Sequence, residues 1–108
     1  MRNPKNPLLE LIDIKALCNI AKKRKIKTFV DNIFASPVLQ KPVFLGADII
    51  VYSGTKHIDG QGRVLGGAIL SSTKFKENIL KPYLRHTGPA ISPFNAWVLL
   101  KEIGRAHV

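Results

Sequence analysis

Residues 52–63 read YSGTKHIDGQGR, and they set two hydroxyls, an amine and three glycines directly behind an apolar run. Folding alone asks for none of them there. Ser53, Thr55, the glycine between them and the N–H groups of a loop can cradle a phosphate, and the Lys56 amine can bind that phosphate or condense with a carbonyl as an imine. A carboxylate at another strand end, Asp31 in KTFVD, suits a protonated ring nitrogen. These are together the needs of pyridoxal phosphate: an imine-forming lysine, a phosphate cup and an acid that keeps the pyridinium charged. The residues by themselves leave a plainer reading open, in which Lys56 is one of 17 cations standing in water and Asp31 is a turn or cap residue. His57, beside the lysine, reads as a packing or loop residue.

Period and caps place the elements that must carry these groups. Asp13 before Ile14, Leu17, Cys18, Ile20 and Ala21 predicts an N-capped helix of about three turns, closed by the cationic run KKRKIK. KTFVD, apolar on both faces, predicts a strand covered on both sides. Ser36, Pro37 and Pro42 predict one or two short helices with Gly46 as the stop. ADIIVYS (47–53) reads as a second buried strand and GGAIL (66–70) as a third. Ser72 or Thr73 then caps a helix carrying Phe75, Ile79 and Leu80, RHTGPAIS is loop, and Ser92 with Pro93 opens a last helix whose Phe94 and Trp97 are assigned to the core. Helix, strand, helix, strand is the order of α/β units on a parallel sheet. Parallel strands end on one edge, so Asp31 and residues 53–56 are expected to share a crevice there, where open α/β sheets hold ligands.

A chain of 108 residues fits one small domain. No apolar stretch approaches the roughly 18 residues of a membrane span, and MRNPKNPLLE lacks a secretory apolar segment, so the expectation is a cytoplasmic protein with no membrane partner. The single cysteine, Cys18, sits in the helical pattern as a buried, inert thiol and offers no metal site. Net charge is +10, densest in KKRKIK at Lys22 to Lys27. Such a run can bind nucleic acid, and a small basic nucleic-acid-binding module is the non-enzyme alternative. Cations closing a helix also offset its dipole, and the aromatic and basic interleaving of a nucleic-acid platform is missing, so no nucleic-acid partner is expected.

The stretch NPLLELIDIKAL, with VDNIFASPVLQKPVFLGADIIVYSGTKHIDGQGRVLGGAIL after it, resembles the cofactor-lysine region of the Cys/Met-metabolism family of pyridoxal-phosphate enzymes. The resemblance covers nearly all of residues 4–101 and includes the strand-end VDN, LGAD, S-x-T-K and the later SPFNAW. It implies an α/β fold: a fragment of the large cofactor-binding domain of the aspartate-aminotransferase-like (type I) architecture, three-layered on a mainly parallel sheet. By the same resemblance Lys56 is the catalytic, cofactor-linked lysine, Asp31 pairs with the pyridine nitrogen, and Ser53 and Thr55 hold the phosphate. Asn6, in P-x-N-P, would lie near the ring oxygen and the substrate carboxylate, although Arg2 and Asn3 depart from the family's usual Glu and Thr or Ser. DGQGR and LRHTGPAISPFNAW resemble the O-succinylhomoserine sulfhydrylase branch, which joins sulfide to the γ-carbon as succinate leaves and so makes homocysteine. Cystathionine γ-synthases and γ-lyases, which can use cysteine or cystathionine, are the alternative within the family. Arg63 is expected to meet a carboxylate, on the succinyl group or on a neighbouring loop, and Arg85 is a further substrate-side candidate. Full-length members are homotetramers and several times longer, so residues 1–101 are expected to be part of the domain, inactive and aggregation-prone alone. EIGRAHV (102–108) departs from the family and is expected to be a non-native read-through.

Overall fold

The computed structural model describes residues 2–5, 8 and 10–105. They form two compact units, one up to Tyr52 and one from Ser53.

The first unit opens with an antiparallel hairpin of β1 (Arg2–Lys5) and β2 (Glu10–Asp13), registered Arg2 to Asp13 and Lys5 to Glu10. Helix α1 (Ile14–Lys23) follows as expected: Asp13 Oδ1 accepts from the Ala16 N–H at 3.0 Å, and Lys22 and Lys23 fill the last turn. Of its apolar stripe, Ile14 and Cys18 are buried, while Leu17 and Ile20 stay half exposed. Strand β3 (Phe29–Asp31) runs parallel to β4 (Ile49–Ser53), with Phe29 opposite Ile49, Val30 opposite Ile50 and Asp31 opposite Val51. Between them lie α2 (Ser36–Leu39) and a 3-10 turn (Pro42–Leu45), which ends at Gly46 in the left-handed region, φ 96°. A residue with a side chain would be strained there.

Ile14, Cys18, Val30, Ala47 and Ile50 make the core of this unit, with Leu45 and Tyr52 packed on it. The expected cover on both faces holds for β4, where Ile49 is 0% and Ile50 4% exposed, but not for β3. Alternate strand residues face opposite ways, so the contact that buries Val30 leaves Phe29 64% exposed.

Asp48 clips the starts of the two strands together. Its Oδ1 takes the Lys27 ammonium at 2.7 Å, and its Oδ2 accepts from the Thr28 N–H and hydroxyl, each at 3.0 Å. The Lys27 hydrogen bond, reinforced by the Thr28 N–H, holds the Asp48 carboxyl below its usual range. A depressed folded-state value means that the clip's contribution is complete above the unfolded carboxyl's pKa, about 3.9, and fades as pH falls through the folded value. Asp48→Ala is therefore expected to lose about 1–2 kcal/mol at pH 7, with the gap to the parent closing in strong acid, as urea melts at both pH values will show.

In the second unit a wide turn, Gly54–Ile58, leads to β5 (Gly67–Ser71). Ser72 Oγ accepts from the Phe75 N–H at 3.3 Å and starts α3 (Thr73–Phe75), which continues through a π-helical stretch (Lys76–Leu80) into α4 (Lys81–Thr87). Arg85 to Thr87 are thus helical, not the expected loop. The helix stops only at Gly88, whose left-handed conformation (φ 71°) supplies the C-cap. Helix α5 (Pro93–Arg105) begins as expected, with Ser92 Oγ accepting from the Asn95 N–H at 3.2 Å.

The assignment of Phe94 and Trp97 to the core is corrected: they are 64% and 53% exposed. The buried stripe runs one step round the helix, through Val98 and Leu99, which join Val64 and Ile58 in the second core. Phe94 and Trp97 instead lean on each other, ring centroids 6.2 Å apart, with the Lys101 ammonium 4.1 Å from the Trp97 ring centre.

Candidate cofactor site

Asp31 is the last residue of β3, and its Oδ1 accepts from the Ile33 N–H at 3.0 Å. This is an Asx turn: the carboxylate folds the chain back as the strand ends. The next residue, Asn32, is completely buried and bonded at every polar atom. Its N–H donates to the Val51 carbonyl at 3.1 Å, and its carbonyl accepts from the Ser36 N–H at 3.0 Å. Its Nδ2 lies 3.0 Å from the Ser36 carbonyl, 2.9 Å from the Gln40 carbonyl and 2.9 Å from the Tyr52 hydroxyl, while its Oδ1 accepts from Gln40 Nε2 at 2.8 Å. Gln40 is buried as well. Sequence reading missed this network, because an asparagine behind an aspartate carries the same letters in a solvated turn.

In the second unit, Ser53, Gly54, Thr55 and Lys56 come together on one turn. Main-chain bonds hold it at both ends: the Gly54 N–H donates to the Gly66 carbonyl at 2.7 Å, and the Asp59 N–H returns to the Gly54 carbonyl at 2.9 Å. Helical dihedrals break at Lys56 (φ −87°, ψ −110°), and its side chain stands exposed. Thr55 Oγ1 accepts from the Gly66 N–H at 3.4 Å. A hydroxyl that accepts from the main chain still has its own hydrogen to give. An anion such as a phosphate is a fitting acceptor for that hydrogen, and Ser53 adds a second hydroxyl two residues away.

The turn closes this tightly because it lacks two side chains. A Cβ on Gly54 would sit 3.0 Å from Leu99 Cδ1 and 3.1 Å from both the carbonyl carbon and oxygen of Gly66. Gly54→Ala is expected to cost about 1–3 kcal/mol by overpacking and to push the Gly66 N–H away from Thr55. Thermal melts check the first effect and pyridoxal-phosphate titration the second.

Arg63 finds its carboxylates within the chain. Its Nε and Nη2 donate to Asp59 Oδ1 at 3.0 and 2.7 Å, its backbone N–H donates to Asp59 Oδ2, and Nη2 also meets Glu102 Oε1 at 2.9 Å. Burial would raise the Asp59 carboxyl, but the side-chain and backbone bonds from Arg63 outweigh it and bring the group below its usual range. The bond to Glu102, then that to Asp59, holds the Arg63 guanidinium above its usual value. Glu102, in the segment expected to be a read-through, thus has a definite place on α5. Arg85 stands exposed on α4, His57 is exposed on the turn, and Asn6 lies outside the described residues.

Among known proteins, the family described as Cys/Met metabolism PLP-dependent enzyme matches residues 1–105. The chain is 55% identical over 100 residues to the O-succinylhomoserine sulfhydrylase of Mycobacterium tuberculosis, which spans 93% of this chain and 25% of that protein. It is 46% identical over 103 residues to the O-succinylhomoserine sulfhydrylase of Pseudomonas aeruginosa, covering 95% of this chain and again 25% of the relative. The chain therefore spans about a quarter of the length of these curated relatives. Among solved structures it superposes on apo CalE6, a methionine γ-lyase from Micromonospora echinospora, with a TM-score of 0.88 at 36% identity, over 94% of this chain and 28% of the other. The cystathionine γ-synthase of Xanthomonas oryzae pv. oryzae in complex with aminoacrylate and cysteine gives the same TM-score at 38% identity, over 94% of this chain and 26% of the other.

Proposed function

Because the chain belongs to the Cys/Met-metabolism family of PLP-dependent enzymes and has its α/β fold, we propose that residues 1–101 carry the cofactor-lysine part of a sulfhydrylase. The reaction is γ-replacement: the Cγ–O bond of O-succinylhomoserine breaks, succinate leaves, and sulfide forms the new Cγ–S bond of homocysteine. The observation that carries this reading is the turn at the end of β4, where two hydroxyls and a lysine follow one another on a backbone fixed by Gly66.

Each residue has a definite task. Ser53 and Thr55 would donate their hydroxyl hydrogens to the phosphate, and because Thr55 Oγ1 accepts from the Gly66 N–H, its own hydrogen stays available for an acceptor. Lys56 Nζ would hold the cofactor at its carbonyl carbon, and the same amine would serve as the base for the proton on the substrate's Cα. The Asp31 carboxylate would accept the hydrogen of the protonated ring nitrogen and keep that nitrogen charged. When bound, pyridoxal phosphate supplies the electron sink that makes the hydrogens on Cα and Cβ acidic. Asn6 and Arg85 are proposed on the substrate side. For Arg63, its bonds to Asp59 and Glu102 favour a carboxylate partner from the protein itself over the succinyl group.

A cystathionine γ-synthase or γ-lyase is the second reading, favoured by the 38% identity to the Xanthomonas oryzae γ-synthase. The intact enzyme, proposed as a cytoplasmic homotetramer, decides between them. Turnover of O-succinylhomoserine with sulfide, faster than with cysteine and accompanied by yellow cofactor absorbance, supports the sulfhydrylase. Preference for cysteine would move the assignment to the γ-synthase, and a colourless, inactive protein would end both.

A further inference from the structure

The carboxylate proposed for the ring nitrogen sits on a turn whose middle residue, Asn32, is fully buried and bonded at every polar atom. Asp31 Oδ1 is held by the Ile33 N–H, and between them Asn32 has its N–H, its carbonyl and both side-chain polar atoms engaged in a site without solvent exposure. The ties reach two separate elements. Gln40, just beyond α2, closes a reciprocal pair with Asn32: its carbonyl accepts from Asn32 Nδ2 and its Nε2 donates to Asn32 Oδ1. Tyr52 reaches across from β4 and fastens the turn after β3 to the neighbouring strand.

We propose that Asn32, Gln40 and Tyr52 are positioning residues for Asp31, fixing the direction in which its carboxylate meets a protonated heteroaromatic nitrogen. The inference rests on the role given to Asp31 above. None of the three touches the reacting atoms. They act by removing the turn's alternatives, because a hydrogen bond to a ring nitrogen strengthens with alignment and weakens steeply as the angle closes. The network is also redundant in a useful way. Asn32 Nδ2 has two hydrogens facing three acceptors, so removing the Tyr52 hydroxyl leaves both hydrogens with carbonyl partners and no buried orphan. Tyr52→Phe therefore removes one side-chain tie between the turn and β4, leaving the main-chain bond to Val51 and a satisfied pocket.

The test is a double-mutant cycle on the intact enzyme with Tyr52→Phe and Asp31→Asn, read as the dissociation constant of pyridoxal phosphate when apo-enzyme is titrated. Tyr52→Phe is expected to weaken cofactor binding about three- to tenfold in the parent and to have no further effect beside Asp31→Asn. Hydrogen exchange at the Ile33 amide in the apo-enzyme is expected to accelerate in the same variant. Gln40→Met offers a second route and is expected to show the same dependence on Asp31. Equal losses in both backgrounds would make the network a general structural support and overturn the proposal, as would no loss in either. Should Asp31→Asn by itself leave affinity unchanged, the reading of Asp31 fails and the inference falls with it, an outcome the first arm of the cycle identifies separately.

Discussion

Lys56→Ala is expected to lower turnover of the intact enzyme by at least about a thousandfold and to abolish the yellow absorbance of the bound cofactor. The size follows from the two tasks proposed for Lys56, the covalent hold and the proton transfer at Cα, both of which the substitution would remove. The turn itself should survive. Lys56 contributes to it through the main chain, its carbonyl accepting from the Gly60 N–H at 2.7 Å, and alanine keeps that carbonyl. The side chain is exposed, so no core is emptied. Unchanged melting of the apo-enzyme beside lost colour and lost turnover is thus the expected combination. A variant that kept both would transfer the role to another lysine.

The largest expected effect on stability belongs to Asn32→Leu, at about 2–4 kcal/mol. Leucine keeps the branched outline but its methyls are bulkier than the amide, so overpacking adds to the loss, and four partners lose their bonds to Asn32: the carbonyls of Ser36 and Gln40, the Tyr52 hydroxyl and Gln40 Nε2. Leaving buried polar groups orphaned costs far more than an average hydrogen bond gains. Denaturant melts of Asn32→Leu and Tyr52→Phe separate the two situations, since the second variant strands nothing. A loss below about 1 kcal/mol for Asn32→Leu would mean that water reaches the network.

The parts of the fold legible in the sequence are those set by neighbouring residues. Asp13 before an apolar helical period, Ser92 before Pro93, and Gly46 after a proline-led turn each state a cap in letters, and each cap is present. The helix and strand order likewise gave the parallel pairing of β3 with β4. What depends on distant partners was hidden. RNPK has no strand propensity of its own, and only ELID opposite it makes β1. Period alone marks an apolar stripe on α5 without saying which side meets Leu99's neighbours, so Phe94 and Trp97 were assigned inward. In the candidate site Lys56, Asp31 and the two hydroxyls drew attention by their types, but the letters alone left a solvated lysine and a turn aspartate open, and the resemblance of the stretch around them supplied the expected roles. Their supports stayed hidden. Asn32, Gln40, Tyr52 and Asp59 carry ordinary letters, and only burial and bonding distinguish them.

Trp97 is the chain's sole tryptophan, and it lies on the exposed side of the helix whose other side carries Leu99 over Gly54 and Gly66. Within this chain, intrinsic fluorescence excited at the indole band therefore reports from that one helix, where the ring meets water and the ammonium of Lys101. These residues carry a built-in optical reporter for the element that presses on the lysine-bearing turn.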